Sequence, residues 1–197
     1  MSTIWNWLDE GLSIPTRRSW RQKLCMWCGK RLALRHKYVT LAKSSVVHPD
    51  AKINPRQGEI RMGENCSVAA GAIVQGNVTL GENCSIQTGT LLVGYGSREN
   101  PTGLIRIGND VRIAPMVMMI AANHVFEDAQ KPIHQQGLKN APITIEDDVW
   151  IAGRVSIMAG VTIGRGSIIG AGAVVTSDIG PMSIAVGIPA KVIGQRD

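Results

Sequence analysis

An apolar residue at every sixth position constrains this chain more than any other feature. Met62, Val68, Val74, Leu80, Ile86 and Leu92 keep the period through the first half, and Ile107, Ile113 and Met119 resume it. Ile145, Ile151, Ile157, Ile163, Ile169 and Val175 complete it. A helix needs a period near 3.6, and a half-buried strand alternates every two residues. Six fits short strands separated by turns and stacked as a solenoid. A small residue often follows the apolar one (Gly63, Gly81, Gly108, Gly164, Gly170), where a tight corner tolerating positive φ is expected. Four positions after each repeat residue stands a second small or branched side chain, among them Cys66, Val78, Cys84, Val111, Val149 and Ala173. Both positions are expected to point inward and stack on the next coil about 4.8 Å away. Cys66 and Cys84 are then buried packing thiols, not nucleophiles.

The chain therefore divides into an N-terminal segment, residues 1–45, a parallel β-helix, residues 46–180, and a C-terminal tail, residues 181–197. The repeats run from Val46 to Val175. The 22 Gly, single Phe and two Tyr agree with a core built without aromatic packing. Residues 93–106 and 120–144 interrupt the period, and solenoids place insertions on one face, often the functional one. Periodicity leaves the hand of the coil open.

Residues 1–45 carry +7 of formal charge and the remainder −1, out of +6 overall. A basic leader on a near-neutral body argues against a nucleic-acid binder, whose charge should spread over the folded face. No apolar run of membrane-spanning length and no signal-peptide pattern is present, so a cytoplasmic protein is expected. Cys25 and Cys28 form a Cys-x-x-Cys pair without a second pair, and a structural zinc site normally needs four clustered ligands. Reduced thiols and no metal are expected. In "SWRQKLCMWC", Trp20, Leu24, Trp27 and Cys28 stand at helical spacing, with Ser19 as N-cap and Gly29 as stop. The favoured reading is a helix capping the open end of the solenoid. The alternative is peripheral membrane contact through a basic helix carrying Trp.

The stretch from "RIAPMVMMIAANHVF" through "DDVWIAGRVSIMAG" to "VGIPAKVIG" resembles the hexapeptide-repeat acyltransferases, most closely those that O-acetylate galactosides, maltose, and lipopolysaccharide or capsule sugars. The resemblance covers residues 46–194. It implies an all-β fold, a left-handed parallel β-helix, assembled as a homotrimer with each active site between neighbours. It also implies acetyl-CoA as donor and a carbohydrate acceptor, free or lipid-linked. His124 matches the family's catalytic histidine. The chemistry stands beside the resemblance: a sugar hydroxyl attacks poorly unless a base takes its proton, and neutral imidazole suits that task near pH 7.

By the same resemblance, the backbone N–H of Gly153 is the oxyanion donor. Gln87, Asn123 and Asp128 are candidates to hold the acceptor or the acetyl end, with ordinary turn or surface roles equally open, and Gln87 stands where the galactoside enzymes typically carry Asn. Trp150, Gly153, Ala171, Thr176, Ser177 and Lys191 are the implied coenzyme A contacts, Trp150 as apolar wall and Lys191 as a charge for phosphate. Trp150 as a packing residue at a trimer interface is the alternative. Ser177 departs from the family's frequent Lys. His134 is assigned to the acceptor side or to structure.

The leading function is O-acetylation of a sugar in surface polysaccharide or its precursor. Amino-sugar or xenobiotic N-acetylation would use the same base and donor. A zinc hydrase on the same solenoid needs three convergent His, and His36, His48, His124 and His134 offer no evident triad. A non-catalytic scaffold is the remaining class.

Overall fold

The computed structural model describes residues 3–12 and 17–197. Each turn of the chain lays one short strand in each of three parallel sheets. Met62 pairs with Leu80, Val68 with Ile86 and Val74 with Leu92, so three hexads make one coil of 18 residues. Every repeat residue from Met62 to Val175 is buried, and so are the second inward positions, from Cys66 and Ala72 to Ala173. Each buried Ile, Leu or Val contributes roughly 1.5–3 kcal/mol relative to exposure. The column of like side chains is the core.

The glycines that follow the repeat residues serve a different purpose from the expected one. A Cβ on Gly63 would lie 2.5 Å from the Gly81 carbonyl oxygen, and one on Gly164 equally close to the Pro181 nitrogen. They allow close approach of successive coils and do not carry positive φ. The left-handed residue comes two positions later: Asn65 (φ 57), Asn83 (φ 57) and Asp110 (φ 60). Asn and Asp tolerate that region better than most residues. Here the Asn65 amide donates to Asn83 Oδ1 at 3.1 Å, and the Asn83 amide to Asp110 Oδ1 at 3.1 Å. A ladder along the corner thus repays the conformation.

Both insertions leave at the same corner, from the third sheet to the first. They follow the strands Leu91–Val93 and Met118–Ile120. Across them the step between residues stacked at the next corner lengthens to 27 (Asn83 to Asp110) and then 38 (Asn109 to Asp147). We call this corner the loop edge.

Two helices, α1 (Thr3–Asp9) and α2 (Trp20–Leu34), lie against the N-terminal end. Ser19 caps α2 as expected: its hydroxyl accepts from the Gln22 N–H, and Gln22 Oε1 accepts from the Ser19 N–H. Gly29 does not stop the helix. A Cβ there would collide with the Val47 carbonyl and sit 2.7 Å from the Pro49 nitrogen, so Gly29 is the point where α2 approaches the first coil most closely. The buried face is Gln22, Cys25, Met26, Gly29 and Ala33. The stripe expected from spacing is thus misassigned: Trp20, Leu24 and Trp27 face outward and Cys28 is half-buried. The capping role stands, since α2 touches all three strands of the first coil and Ala33 packs with Val39, Val47 and Ile53.

His48, fully buried, accepts the Asp50 N–H at Nδ1 (3.1 Å). Its Nε2 therefore carries the proton and donates to Asp9 at 2.9 Å, tying α1 to the solenoid.

Both expected boundaries move. The first coil opens at the strand Val39–Leu41, ahead of residue 46, because that strand pairs with Ile60–Met62. Residues 181–197 are more than a tail. Ser183–Val186 pairs with Ile168–Ile169 and with the antiparallel strand Lys191–Gln195, closing the far end of the second sheet.

Candidate functional site

His124 ends the strand Ala122–His124, which forms a two-stranded antiparallel ribbon with Leu138–Asn140 off the loop edge. Asn123 and His124 are exposed on it. Among the described residues the His124 ring has no hydrogen-bond partner, so nothing in its own chain fixes the tautomer. Asp128, farther along the loop, shapes the turn: its carboxylate accepts the Gln130 N–H at 3.0 Å and pairs with Lys131 at 3.3 Å. Gln136 buttresses the same turn, accepting from the Asp128 N–H and donating to its carbonyl. His134 is exposed in the 3-10 turn Ile133–Gln135.

Gly153 lies elsewhere, at the corner between the second and third sheets, after the strand Trp150–Ile151. Here a left-handed residue recurs at Gly71, Gly89 and Gly172, and we call it the glycine edge. The flanking amides are used: Ala152 donates to Ile169 O and Arg154 to Pro115 O. Among the described residues the Gly153 N–H donates to none and is free for a ligand. Pro115, one coil below, has no N–H to offer. A Cβ on Gly153 would meet only the Pro115 carbonyl oxygen, at 3.4 Å, so packing within the chain does not require glycine there.

Trp150, 51% exposed, stands on the outer face of the second sheet in register with Arg112 and Ile168. Ala171 is one coil above Gly153, whose carbonyl accepts the Gly172 N–H. Lys191 is exposed on the last strand of the same sheet. Gln87 also belongs to this edge, at the corner after Ser85–Ile86.

The structure therefore sorts the expected site residues into two groups. Trp150, Gly153, Ala171, Lys191 and Gln87 lie on the second sheet or the glycine edge. His124, Asn123, Asp128, Thr176 and Ser177 lie on the loop edge, because each follows a strand of the third sheet. One chain does not bring Gln87 to the other acceptor candidates, nor Thr176 and Ser177 to Trp150.

Two features escaped the sequence reading. Met116 (φ 61) and Arg154 (φ 60) occupy the left-handed position that is glycine in three other coils of the glycine edge. A left-handed conformation costs a residue with a Cβ roughly 1–2 kcal/mol. Such strain at Arg154, next to Gly153, and at Met116 one coil below is what functional sites tend to hold. The signal was available, since residues 71, 89, 116, 154 and 172 are in register. The second feature is a cleft of about 330 Å³ on the loop edge, toward the N-terminus from the ribbon, lined by Arg56, Gln57, Tyr95 and the Gly94–Ser97 turn.

Among the described residues no three His, Cys, Asp or Glu side chains converge as metal ligands, and no helix is long and apolar enough to cross a membrane.

The pattern described as bacterial transferase hexapeptide (six repeats) matches residues 59–94 and 142–177. Those two stretches of the chain carry hexapeptide repeats. The coil is the left-handed parallel β-helix of hexapeptide-repeat proteins. Over 91 residues it is 50% identical to protein C18B11.09c of Schizosaccharomyces pombe, which is named as an acetyltransferase; the match spans 46% of this chain and 42% of that one. Over 94 residues it is 44% identical to the galactoside O-acetyltransferase of Escherichia coli K12, spanning 45% and 43%. The match thus covers less than half the length of either relative. Among solved structures, a hexapeptide-repeat-containing acetyltransferase of Vibrio cholerae superposes with a TM-score of 0.56 at 26% identity, over 89% of this chain and 88% of that one.

Proposed function

We propose that this protein is an acetyl-CoA-dependent O-acetyltransferase acting on a hydroxyl of a sugar in surface polysaccharide or its precursor, with His124 as general base. The observation that carries the reading is the division between two edges: on one an exposed imidazole and on the other an amide, near an exposed indole, neither with a hydrogen-bond partner among the described residues. A cyclic trimer uses a heterologous contact, in which each subunit presents one surface to a different surface of the next. Such a contact lays the loop edge of one copy along the glycine edge of its neighbour. The two groups of residues then form one site, repeated at each interface.

Coenzyme A supplies the acetyl group as a reactive thioester. Trp150 offers its adenine or pantetheine arm an apolar wall, Lys191 offers a phosphate a charge, and Thr176 and Ser177 of the adjoining copy offer hydroxyls. Gly153 presents its amide to the acyl oxygen and leaves that approach clear of side chain. His124 removes the acceptor's proton as the hydroxyl oxygen attacks, then returns it toward the departing sulfur. The cleft beside Tyr95 gives the rest of the sugar an aromatic face and the Arg56 guanidinium. Cys66 and Cys84 are 1% exposed, and each thiol donates to a carbonyl of a coil corner (Gly81 O and Gly108 O, both 3.0 Å). They take no part in transfer, which proceeds directly in a ternary complex.

Subunit complementation tests this reading. His124→Ala and Gly153→Leu proteins should each be inactive alone. Coexpressed, they should recover about a quarter of wild-type turnover, because random mixing leaves one interface in four with both groups intact. Mixed trimers verified by mass spectrometry but without turnover would contradict the shared site. A thiol-release screen across sugars and amino sugars decides between O- and N-transfer.

A further inference from the structure

The outer face of the two N-terminal helices carries a cluster of exposed aromatic and apolar side chains. Trp20, Leu24 and Trp27 follow one another on α2 and are 64%, 41% and 57% exposed; Ile4 and Trp7 on α1 are 60% and 54% exposed. The two sets form one patch, because the rings of Trp7 and Trp20 meet edge to face at 6.3 Å. The Arg21 guanidinium lies 4.4 Å above the Trp7 ring and 5.8 Å above Trp20, and Arg31 lies 5.5 Å above Trp27. Beside Trp27 opens a cleft of about 410 Å³ whose floor is Met26 and whose walls are Arg17, Lys23, Lys30 and Lys43. The Lys30 ammonium is held in place by the Ala42 and Lys43 carbonyls at 2.6 and 2.9 Å. Residues 17–37 contain Lys and Arg throughout but no Asp or Glu.

We propose that this face docks on an anionic phospholipid surface, with Trp7, Trp20, Leu24 and Trp27 seated at the headgroup level and the basic cleft receiving a lipid phosphate. The charge decides the occupant. A second copy of the face would bring like charges together, whereas an anionic bilayer complements each Lys and Arg near it by about 1 kcal/mol. Indole belongs at the interface, where its apolar body and its N–H are both accommodated. The inward face of the same helix stays on the first coil, so capping and docking use opposite sides of α2. Docking is independent of the transfer chemistry and would hold the solenoid beside a lipid-linked acceptor.

The test is co-sedimentation of the full chain with phosphatidylcholine vesicles, with and without about one third phosphatidylglycerol. Binding to the anionic vesicles alone is expected, weakening steeply as salt is raised. Trp20→Ala with Trp27→Ala should weaken it tenfold or more, and Lys23→Glu with Arg31→Glu should abolish it. All four sites are exposed, so both double variants should keep the wild-type Tm and turnover on a soluble acceptor. Equal binding to neutral vesicles, or none to anionic ones, would overturn the proposal. So would a lipid-independent self-association of the wild-type chain that the tryptophan variant loses, because the face would then belong to a second copy.

Discussion

Gly153→Ala separates the demands of folding from those of the site. The added methyl would sit 3.4 Å from the Pro115 carbonyl oxygen, an ordinary van der Waals distance, with nothing else nearby in the chain. Gly153 is not at positive φ, so alanine fits its backbone. Glycine to alanine at such a position stabilises by about 0.4–1 kcal/mol through the unfolded state. For a chain of this size each kcal/mol moves Tm by about 2–4 °C. The alanine variant should therefore melt at the wild-type temperature or a few degrees higher. On the proposed mechanism turnover should fall nonetheless, because the methyl would crowd an acyl oxygen bound at the amide. A methyl forced into a close-fitting contact costs typically 1–3 kcal/mol, roughly 5- to 150-fold in kcat/KM. Scanning calorimetry and a thiol-release assay on the same preparation give both numbers. Full activity would remove Gly153 from the acyl site. A Tm lowered by several degrees would show that packing, in the chain or between copies, demands the glycine.

His124→Ala should lower kcat a hundredfold or more with coenzyme A affinity unchanged, as expected for loss of a base and not of a donor contact; calorimetric titration with initial rates checks both. Gly29→Ala should destabilise by about 1–3 kcal/mol, since α2 must retreat from the Val47 carbonyl, and chemical denaturation reads the loss. Burial, with the Asp9 charge adding to it, pushes the Cys25 thiol from 9.0 up to about 12. At pH 8 iodoacetamide should therefore modify the half-buried Cys28 well before Cys25 in the native protein. The unfolded chain releases the Cys25 proton first, so the contribution of this group to stability is full below pH 9 and declines as pH rises toward 12. Denaturation midpoints at pH 8, 9.5 and 10.5 test the sign.

The solenoid was legible because its core repeats one requirement, an inward apolar side chain at each strand, and every repeat residue from Met62 to Val175 meets it. The N-terminal helix was legible only in part. Its cap could be read from Ser19, but spacing alone cannot say which apolar stripe faces in. The inward face is Gln22, Cys25, Met26, Gly29 and Ala33, with small residues where the helix lies closest on the coil. Trp20, Leu24 and Trp27 are outside for the same reason. The corners were misread in the same way: glycine suggested backbone freedom where the structure needs the absence of a Cβ, and Asn65, Asn83 and Asp110 take the left-handed turn.

The arrangement of the site was more legible than the reading made it. Hexads counted in threes assign each residue to a sheet: Ile151 continues the column of Val68, Ile86 and Ile113, while Met119 continues that of Val74 and Leu92. Gly153 follows the first column and His124 the second, so the count alone puts them on different corners, in successive coils. A general base and an oxyanion donor must approach the same carbonyl carbon within hydrogen-bond reach of its substituents. Two corners of a rigid, close-packed solenoid cannot move together to meet that condition. If both residues serve the reaction, a second chain must supply one of them, and assembly becomes part of the mechanism.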